Sequence, residues 1–315
     1  MNILLTGATG FVGRALSQEL VNRGFDLSVV VRRKTDIFPD KVKQFMAGDF
    51  SNEINFSHSL DGIDVVIHLA GKAHVLDLKK TSVLDEFQQI NTNLTLNLAT
   101  QAAISKVKRL IFISSIGVNG NSSHVAFTEN DKPNPQEPYA ISKYEAEVGL
   151  FELSRKTGLE VVIIRPPLVY GVNAPGNFGR LINWASSKFL MPLPLGLVKN
   201  TRSLVALDNL VDFMITCVSH KKASNEVFLI SDGQDLSTTQ LLRKIAKAFG
   251  RESYLLPIPV GFMIFMANLL GKKSDAIRLF SSFQVDSSKA RDLLGWQPVV
   301  TMNEALKGIA NEKRV

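Results

Sequence analysis

The chain has 315 residues, of which 45% are hydrophobic and 21% are charged, and its formal net charge is +7. These values fit a soluble globular protein that is large enough for a sizeable core and two lobes. The single cysteine, Cys217, excludes an internal disulfide and a cysteine-built zinc site, and it favours a reducing compartment. We therefore expect a cytoplasmic protein that holds no metal.

The first predicted elements are a buried strand over residues 3–5 and a helix over residues 12–20. Because the chain enters this strand at once, we expect no signal peptide. Gly7, Gly10 and Gly13 mark the turn between the two elements. Glycine lets a phosphate approach the helix N-terminus, where free N–H groups and the helix dipole favour negative charge. The spacing G-x-x-G-x-x-G differs from the usual G-x-G-x-x-G, but its position predicts a dinucleotide site.

Strands and helices then alternate through the first half of the chain. Further strands are predicted over residues 27–31, 42–46, 65–69, 110–113 and 161–164, with helices over 84–104 and 139–157. This alternation predicts an α/β fold with a Rossmann-type, doubly wound parallel sheet. Ligands bind beyond the carboxyl ends of such strands. The residues at those ends are Gly7, Arg32, Asp49, Ala70, Ser115 and Pro166.

A tyrosine and a lysine lie four residues apart in the predicted helix 139–157. Tyr139 and Lys143 therefore share one helix face. We expect the ammonium to lower the pKa of the phenol, which ordinarily titrates near about 10. Such a phenol can exchange a proton with an alcohol near neutral pH. With Ser115 upstream at a strand end, the pair predicts a catalytic site.

Prolines and glycines interrupt the pattern after Gly171. We predict a dinucleotide-binding domain over residues 1–170 and a smaller C-terminal substrate lobe over residues 171–315. The chain is expected to return to the first domain near residues 203–219, where a strand runs into a helix. Short helices are predicted around 239–249 and 260–270. Because eleven apolar residues are too few to span a bilayer, we predict that the helix 260–270 is packed in the second lobe, without stable membrane insertion, and contact with a membrane is the alternative.

Several motifs follow one another along nearly the whole chain. They are Thr6-Gly-Ala-Thr-Gly-Phe-Val-Gly13, Gly48-Asp49, His68-Leu-Ala-Gly71, Ile113-Ser-Ser115, Tyr139-Ala-Ile-Ser-Lys143, Ile164-Arg-Pro166, Val169-Tyr-Gly171, Arg202 before Asp208-Asn-Leu, and Leu294-Gly-Trp-Gln-Pro298. In these motifs the chain resembles the extended short-chain dehydrogenase/reductases, and among them the nucleotide-sugar epimerases, reductases and dehydratases. It is most similar to a bacterial polysaccharide-cluster subgroup described as UDP-glucose 4-epimerase-like, which includes C4 reductases of UDP-4-keto-6-deoxy-N-acetylhexosamines.

The resemblance implies a role for each matching residue. Tyr139 would be the general acid/base, Lys143 would bind the nicotinamide ribose, and Ser115 or its neighbour Ser114 would hold the reacting sugar oxygen. The cofactor would contact Gly7, Thr9, Gly10, Phe11, Val12, Gly13, Arg32, Asp49, Phe50, Leu69, Ala70, Gly71, Tyr139, Lys143 and Pro166. The UDP-sugar would contact Lys72, Asn177, Arg202 and Arg278, whereas Asn91 and His74 have either a ligand or a structural role.

Three local features qualify this resemblance. Arg32 and Arg33 follow the second strand, where an acidic residue would bind the ribose 2′-hydroxyl of NAD. Since arginine pairs with a 2′-phosphate instead, we predict that NADP(H) is preferred and that NAD(H) is possible. Leu168 replaces an asparagine that contacts the diphosphate in the family. Ile116 and Gly117 occupy the positions of an acidic pair in dehydratases, so dehydration is not expected.

The main interpretation is reduction of the C4 ketone of a UDP-4-keto-(6-deoxy)-N-acetylhexosamine in O-antigen or capsule synthesis. The alternative is a UDP-hexose 4-epimerase with retained NAD, and a third possibility is a non-catalytic dinucleotide sensor. By resemblance we expect a homodimer formed through the helices 84–104 and 139–157. The Lys and Arg residues are scattered, so no nucleic-acid partner is expected beyond the substrate nucleotide.

Overall fold

The computed structural model describes residues 1–48, 54–73, 83–123, 125–187 and 191–313. The strands in these ranges are β1 (Asn2–Thr6), β2 (Asp26–Val31), β3 (Lys43–Met46), β4 (Val65–His68), β5 (Arg109–Ile113), β6 (Glu160–Arg165), β7 (Leu168–Tyr170), β8 (Leu204–Ala206) and β9 (Glu226–Leu229). Seven of them form one parallel sheet in the order β3-β2-β1-β4-β5-β6-β9. The strand order reverses beside β1, which confirms the predicted doubly wound α/β fold.

The helices in the same ranges are α1 (Phe11–Asn22), α2 (Ser57–Leu60), α3 (Val83–Phe87), α4 (Leu94–Ile104), α5 (Pro138–Thr157), α6 (Gly176–Ser186), α7 (Leu207–Ser219), α8 (Thr238–Ala248), α9 (Val260–Leu269), α10 (Lys273–Phe280), α11 (Ser288–Leu294) and α12 (Met302–Glu312). The single helix predicted over residues 84–104 is interrupted by a π-helical segment, Gln88–Asn93, which joins α3 to α4. Such segments often mark functional sites, and this one carries Asn91.

Both faces of the parallel sheet are buried. Along β1, Ile3 and Leu5 pack in a core with α1 and α7, whereas Leu4 packs in a second core with α4 and α5. Successive side chains of a strand point to opposite faces, so one strand contributes to both cores. This burial explains why the strands are nearly continuous apolar runs, as parallel sheets require.

The second half of the chain also contributes to this sheet. Helix α7 packs on the core of β1 and β2, and β9 extends the sheet beside β6. Sequence analysis predicted a return of the chain near residues 203–219 but missed β9, because four residues are too few to show a period. β7 and β8 form a separate two-stranded parallel sheet. The domain boundary between residues 170 and 171 remains a prediction.

The helix predicted over residues 260–270 is present as α9 and packs against α10, but it is not buried. All ten residues of α9 are described, and none of them is buried. Phe262 and Phe265 are 55% and 57% exposed. The segment is apolar all round, so periodicity contained no information about which face would be covered. Within the described ranges, every helix is too short or too polar to cross a membrane.

His68, the last residue of β4, is expected to make the fold sensitive to acid. Its ring is buried between the hydroxyls of Thr6 and Thr95, 2.6 and 2.9 Å away. Burial, and then the charge of Lys143, lowers the pKa of His68 to about 3. The unfolded chain binds this proton as the pH falls through about 6.5. The free energy of unfolding should therefore fall by about 1.4 kcal/mol per pH unit between those two values.

Urea unfolding of His68→Asn at neutral and mildly acidic pH tests this prediction. The variant should lose less stability than the wild-type chain on acidification. His58→Asn is the control, because His58 is exposed. An unchanged pH dependence in His68→Asn would contradict the assignment.

Candidate active site

The turn between β1 and α1 can be built only with glycine at two positions. Gly7 has φ +73°, and a Cβ there would lie 2.7 Å from the backbone nitrogen of Ala70, after β4. A Cβ on Gly13 would lie 2.1 Å from the carbonyl oxygen of Gly7. Helix α1 begins after Gly10, and no described side chain caps it. Its first N–H groups are therefore available to an anion, as a dinucleotide diphosphate requires.

A basic cleft opens beside this turn. It has a volume of about 780 Å³ and is lined by Gly7, Thr9, Val30, Val31, Arg32, Arg33, Lys34, Thr35 and Gly48. The three cations are all exposed. Sequence analysis did not predict Lys34 as a cofactor contact, although Lys34 directly follows Arg32 and Arg33 in the chain. Asp49 and Phe50, predicted to contact the cofactor, lie outside the described residues.

Lys143 lies where the segments after β4 and β5 meet α5. Its Nζ donates a hydrogen bond to the carbonyl oxygen of Ile113, 2.9 Å away at the end of β5. The same Nζ is 4.4 Å from the ring centroid of Phe112. A Cβ on Gly71 would lie 3.3 Å from it. Glycine at position 71 therefore lets the chain after β4 pass close to this amine, which fits the predicted path of a nicotinamide ribose.

The ionisation of Tyr139 and Lys143 is controlled first by burial. Burial lowers the pKa of the Lys143 amine to about 8, and the charge of Glu147 opposes that shift. Burial raises the pKa of the Tyr139 phenol to about 12. This is opposite to the lowering predicted from the four-residue spacing. The cause is desolvation, which disfavours the phenolate, and the Lys143 amine donates its hydrogen bond to the backbone of Ile113.

The two candidate serines differ in environment. The Oγ of Ser115 is 3.1 Å from the backbone N–H of Gly117, which donates to it. A Cβ on Gly117 would lie 3.4 Å from both this Oγ and the Cβ of Ala140, so Ser115 faces the start of α5. Ser114 is only 3% exposed. Across the described ranges, its Oγ is the one buried side-chain oxygen or nitrogen without a hydrogen-bond partner.

Asn91, in the π-helical segment, connects the chain after β4 to α5. Its Oδ1 accepts a hydrogen bond from the Lys72 N–H at 2.8 Å. Its Nδ2 donates to the Lys72 carbonyl at 3.0 Å and to Ser142 Oγ at 3.1 Å. The side chain is fully buried, and these contacts give it a structural role. His74 lies outside the described residues.

The structure brings together two of the four residues predicted to bind the substrate. Arg202 donates to the carbonyl oxygens of Arg278 and Ser281. Arg278 in turn forms an ion pair with Glu137, 2.6 Å away and directly before α5. Burial, followed by the charge of Arg278, lowers the pKa of Arg202. Two guanidinium groups therefore lie near the helix that carries Tyr139.

The other two predicted substrate ligands take no part in these contacts. Lys72 forms an ion pair with Glu86. Asn177 lies exposed in the first turn of α6. Leu168, which replaces the family asparagine, is 48% exposed on β7.

Sequence analysis missed a buried ion pair next to Lys143. Glu147, one turn further along α5, accepts hydrogen bonds from Arg165 Nε at 3.0 Å and Nη2 at 2.5 Å. Arg165 Nη1 donates to Asn119 Oδ1 at 2.9 Å. The Arg165 and Glu147 side chains are 5% and 3% exposed. The four-residue spacing from Lys143 to Glu147 was the signal available in the sequence.

The chain is similar to several known proteins. Residues 3–231 match the NAD dependent epimerase/dehydratase family. A UDP-glucose 4-epimerase from Vibrio cholerae is 41% identical over 312 residues, which cover 98% of this chain and 94% of that protein. The N-acetyl-alpha-D-glucosaminyl-diphospho-ditrans,octacis-undecaprenol 4-epimerase from Escherichia coli is 30% identical over 267 residues. These residues cover 83% of this chain and 77% of that protein.

A solved structure has a similar fold over the whole length of this chain. The UDP-glucose 4-epimerase from Thermotoga maritima, crystallised with UDP-glucose, has a TM-score of 0.79 at 25% identity and covers 100% of this chain and 99% of that one. The family match includes the glycine turn, Ser115, Tyr139 and Lys143. The chain therefore belongs to the NAD dependent epimerase/dehydratase family, enzymes of the extended short-chain dehydrogenase/reductase type that its motifs resemble.

Proposed function

We propose that the chain inverts C4 of a UDP-sugar with the help of a nicotinamide dinucleotide. The observation that carries this proposal is the meeting of Gly71, Ser115 and Lys143 at the start of α5, beside the glycine turn. The relatives described above are named 4-epimerases. They do not support the reductase that was our main interpretation, and the epimerase alternative fits them better.

The residues divide the work between binding and proton transfer. The glycine turn and the N-terminus of α1 would hold the diphosphate, the basic cleft the adenosine, and Lys143 the nicotinamide ribose. The bound cofactor supplies the acceptor and donor of hydride. Tyr139 takes the proton of the C4 hydroxyl as that carbon is oxidised and returns it after the sugar has turned, while Ser115 stabilises the developing oxyanion.

The pKa of about 12 suits Tyr139 to the proton-donating half of this cycle. In the proton-accepting half, the phenolate needs a neighbouring positive charge. Lys143 is one helical turn away and can supply it.

Incubation of the purified chain with UDP-glucose and with UDP-N-acetylglucosamine, followed by NMR of the sugar products, tests the proposal. We expect the C4 epimer to form without net oxidation or reduction of added nicotinamide. If no UDP-hexose is epimerised, and a UDP-4-keto-sugar instead consumes NADPH, the reductase is the correct function.

The basic cleft supports a preference for NADP(H), which we retain as a proposal. Arg32, Arg33 and Lys34 can pair with a 2′-phosphate. The double change Arg32→Glu and Arg33→Glu should weaken NADP⁺ binding by about tenfold to a hundredfold and NAD⁺ binding much less. Isothermal titration with both cofactors measures this, and the control is Arg291→Glu, at an exposed side chain of α11. Tighter binding of NAD⁺ than of NADP⁺ by the wild-type chain would contradict the preference.

Three further expectations also remain proposals. The homodimer would form through α4 and α5, which carry Ile104 and Val148 at 75% and 41% exposure. The cytoplasmic location and the role in bacterial polysaccharide synthesis follow from the cysteine content and the resemblance, respectively.

A further inference from the structure

Large apolar side chains are exposed on α9 and next to it. Six of them are between 47% and 72% exposed: Tyr254, Leu256, Phe262, Phe265, Leu269 and Leu270. We call these six residues the α9 surface. The first two lie in a strand-like segment that is hydrogen-bonded to Leu193 at 3.0 and 2.8 Å and leads into the helix. A contiguous apolar patch of this kind marks an interaction site in proteins.

The geometry of α9 favours a lipid environment over a protein groove. A second protein usually covers one apolar stripe of a helix, and the rest of that helix is polar. Here only a narrow face, lined by Val260, Met263, Ile264 and Ala267, is half-buried, and the wider exposed face carries Phe262, Phe265, Met266, Leu269 and Leu270 beside Asn268. Ten residues rise about 15 Å, roughly half of the hydrocarbon thickness of a bilayer. The helix is therefore long enough to enter one leaflet and too short to cross it.

Charges at the end of the helix complement anionic lipid. Lys272 and Lys273 follow α9 directly, and both are exposed. Along the chain, the nearest acidic residues are Glu252 and Asp275, with none between them. The net charge of the whole chain is +7. Apolar residues bordered by lysines form the pattern by which a protein binds the headgroup region of an anionic membrane.

We propose that the α9 surface docks into one leaflet of an anionic phospholipid bilayer, with Lys272 and Lys273 at the headgroups. Helix α10, which packs on α9, carries Arg278 and so reaches Glu137 at the start of α5. Docking would therefore hold the entrance of the candidate active site close to the membrane. The proposal does not depend on which reaction the site performs.

Vesicle flotation with the full chain tests the proposal. The wild-type chain should float with vesicles of phosphatidylcholine mixed with phosphatidylglycerol, and much less with phosphatidylcholine alone. The double change Phe262→Ser and Phe265→Ser should reduce partitioning by at least about tenfold. The double change Lys272→Glu and Lys273→Glu should reduce it by about tenfold and abolish the salt dependence.

The control is Val299→Ser, which removes a side chain of similar exposure, 56%, outside the α9 surface. It should float like the wild-type chain, and thermal melting should show that all variants are folded. The proposal would be overturned if the wild-type chain bound neither kind of vesicle. It would also be overturned if the variant with Phe262→Ser and Phe265→Ser bound as well as the wild-type chain. A wild-type dimer that becomes monomeric on Phe262→Ser and Phe265→Ser, without vesicle binding, would instead assign this surface to a second copy of the chain.

Discussion

Tyr139→Phe is expected to lower the turnover of the UDP-sugar by about 10²- to 10⁴-fold, with little effect on dinucleotide binding. The substitution removes the only hydroxyl of this side chain, which we assign to proton transfer at the C4 oxygen. The ring itself packs edge-on against Phe87, with centroids 6.0 Å apart. Phenylalanine keeps that contact, so the fold should not change. Steady-state epimerisation and the dissociation constant of the cofactor are the two measurements.

The matched control is Tyr144→Phe, on the same helix α5. Tyr144 is five residues further along and lies on a different face. It should retain wild-type turnover. Comparable turnover in Tyr139→Phe and Tyr144→Phe would remove Tyr139 from the proton-transfer step, whereas a loss of cofactor binding in Tyr139→Phe would indicate a positioning role.

Glu147→Ala should have the largest effect on stability, a loss of about 3–5 kcal/mol in the free energy of unfolding. The change leaves the guanidinium of Arg165 buried with a positive charge and two unused donors. It also removes the charge that opposes the lowering of the Lys143 pKa. We therefore expect the activity to change as well, because more of the amine would be neutral near pH 8. Urea unfolding measures the first effect, and the pH profile of turnover measures the second.

An exposed ion pair provides the comparison. Lys108 and Asp64 are 3.1 Å apart, and the Lys108 side chain is 78% exposed. Lys108→Ala should cost less than about 1 kcal/mol. The double change Glu147→Leu and Arg165→Met should recover part of the stability lost in Glu147→Ala, because no unpaired charge remains. A loss below about 1 kcal/mol in Glu147→Ala would show that water or another group reaches Arg165.

Local patterns predicted much of the fold. Strand β1, helix α1 and the glycine turn between them could be assigned from the run at residues 3–5 and from three glycine positions. Helix α5 was predicted to within one residue, with Tyr139 and Lys143 on it. Each of these assignments depends on residues a few positions apart, and such spacings are visible in one sequence.

Contacts between distant parts of the chain were not visible in this way. Arg202 meets Arg278 across 76 residues, and Arg278 meets Glu137 from the other half of the molecule. The exposure of α9 likewise depends on what packs against it. A single sequence contains no record of these neighbours.

The amino-acid sequence by itself determined the parallel α/β sheet, the dinucleotide turn and the pairing of Tyr139 with Lys143 on one helix, because residue spacing controls local geometry. Tertiary structure alone decided the ionisation of that pair. The pKa of the phenol rises because the surrounding atoms of the fold desolvate it, while the amine of Lys143 donates its hydrogen bond to Ile113. Desolvation is a sum over neighbours from the whole fold, and no spacing within a helix can supply it.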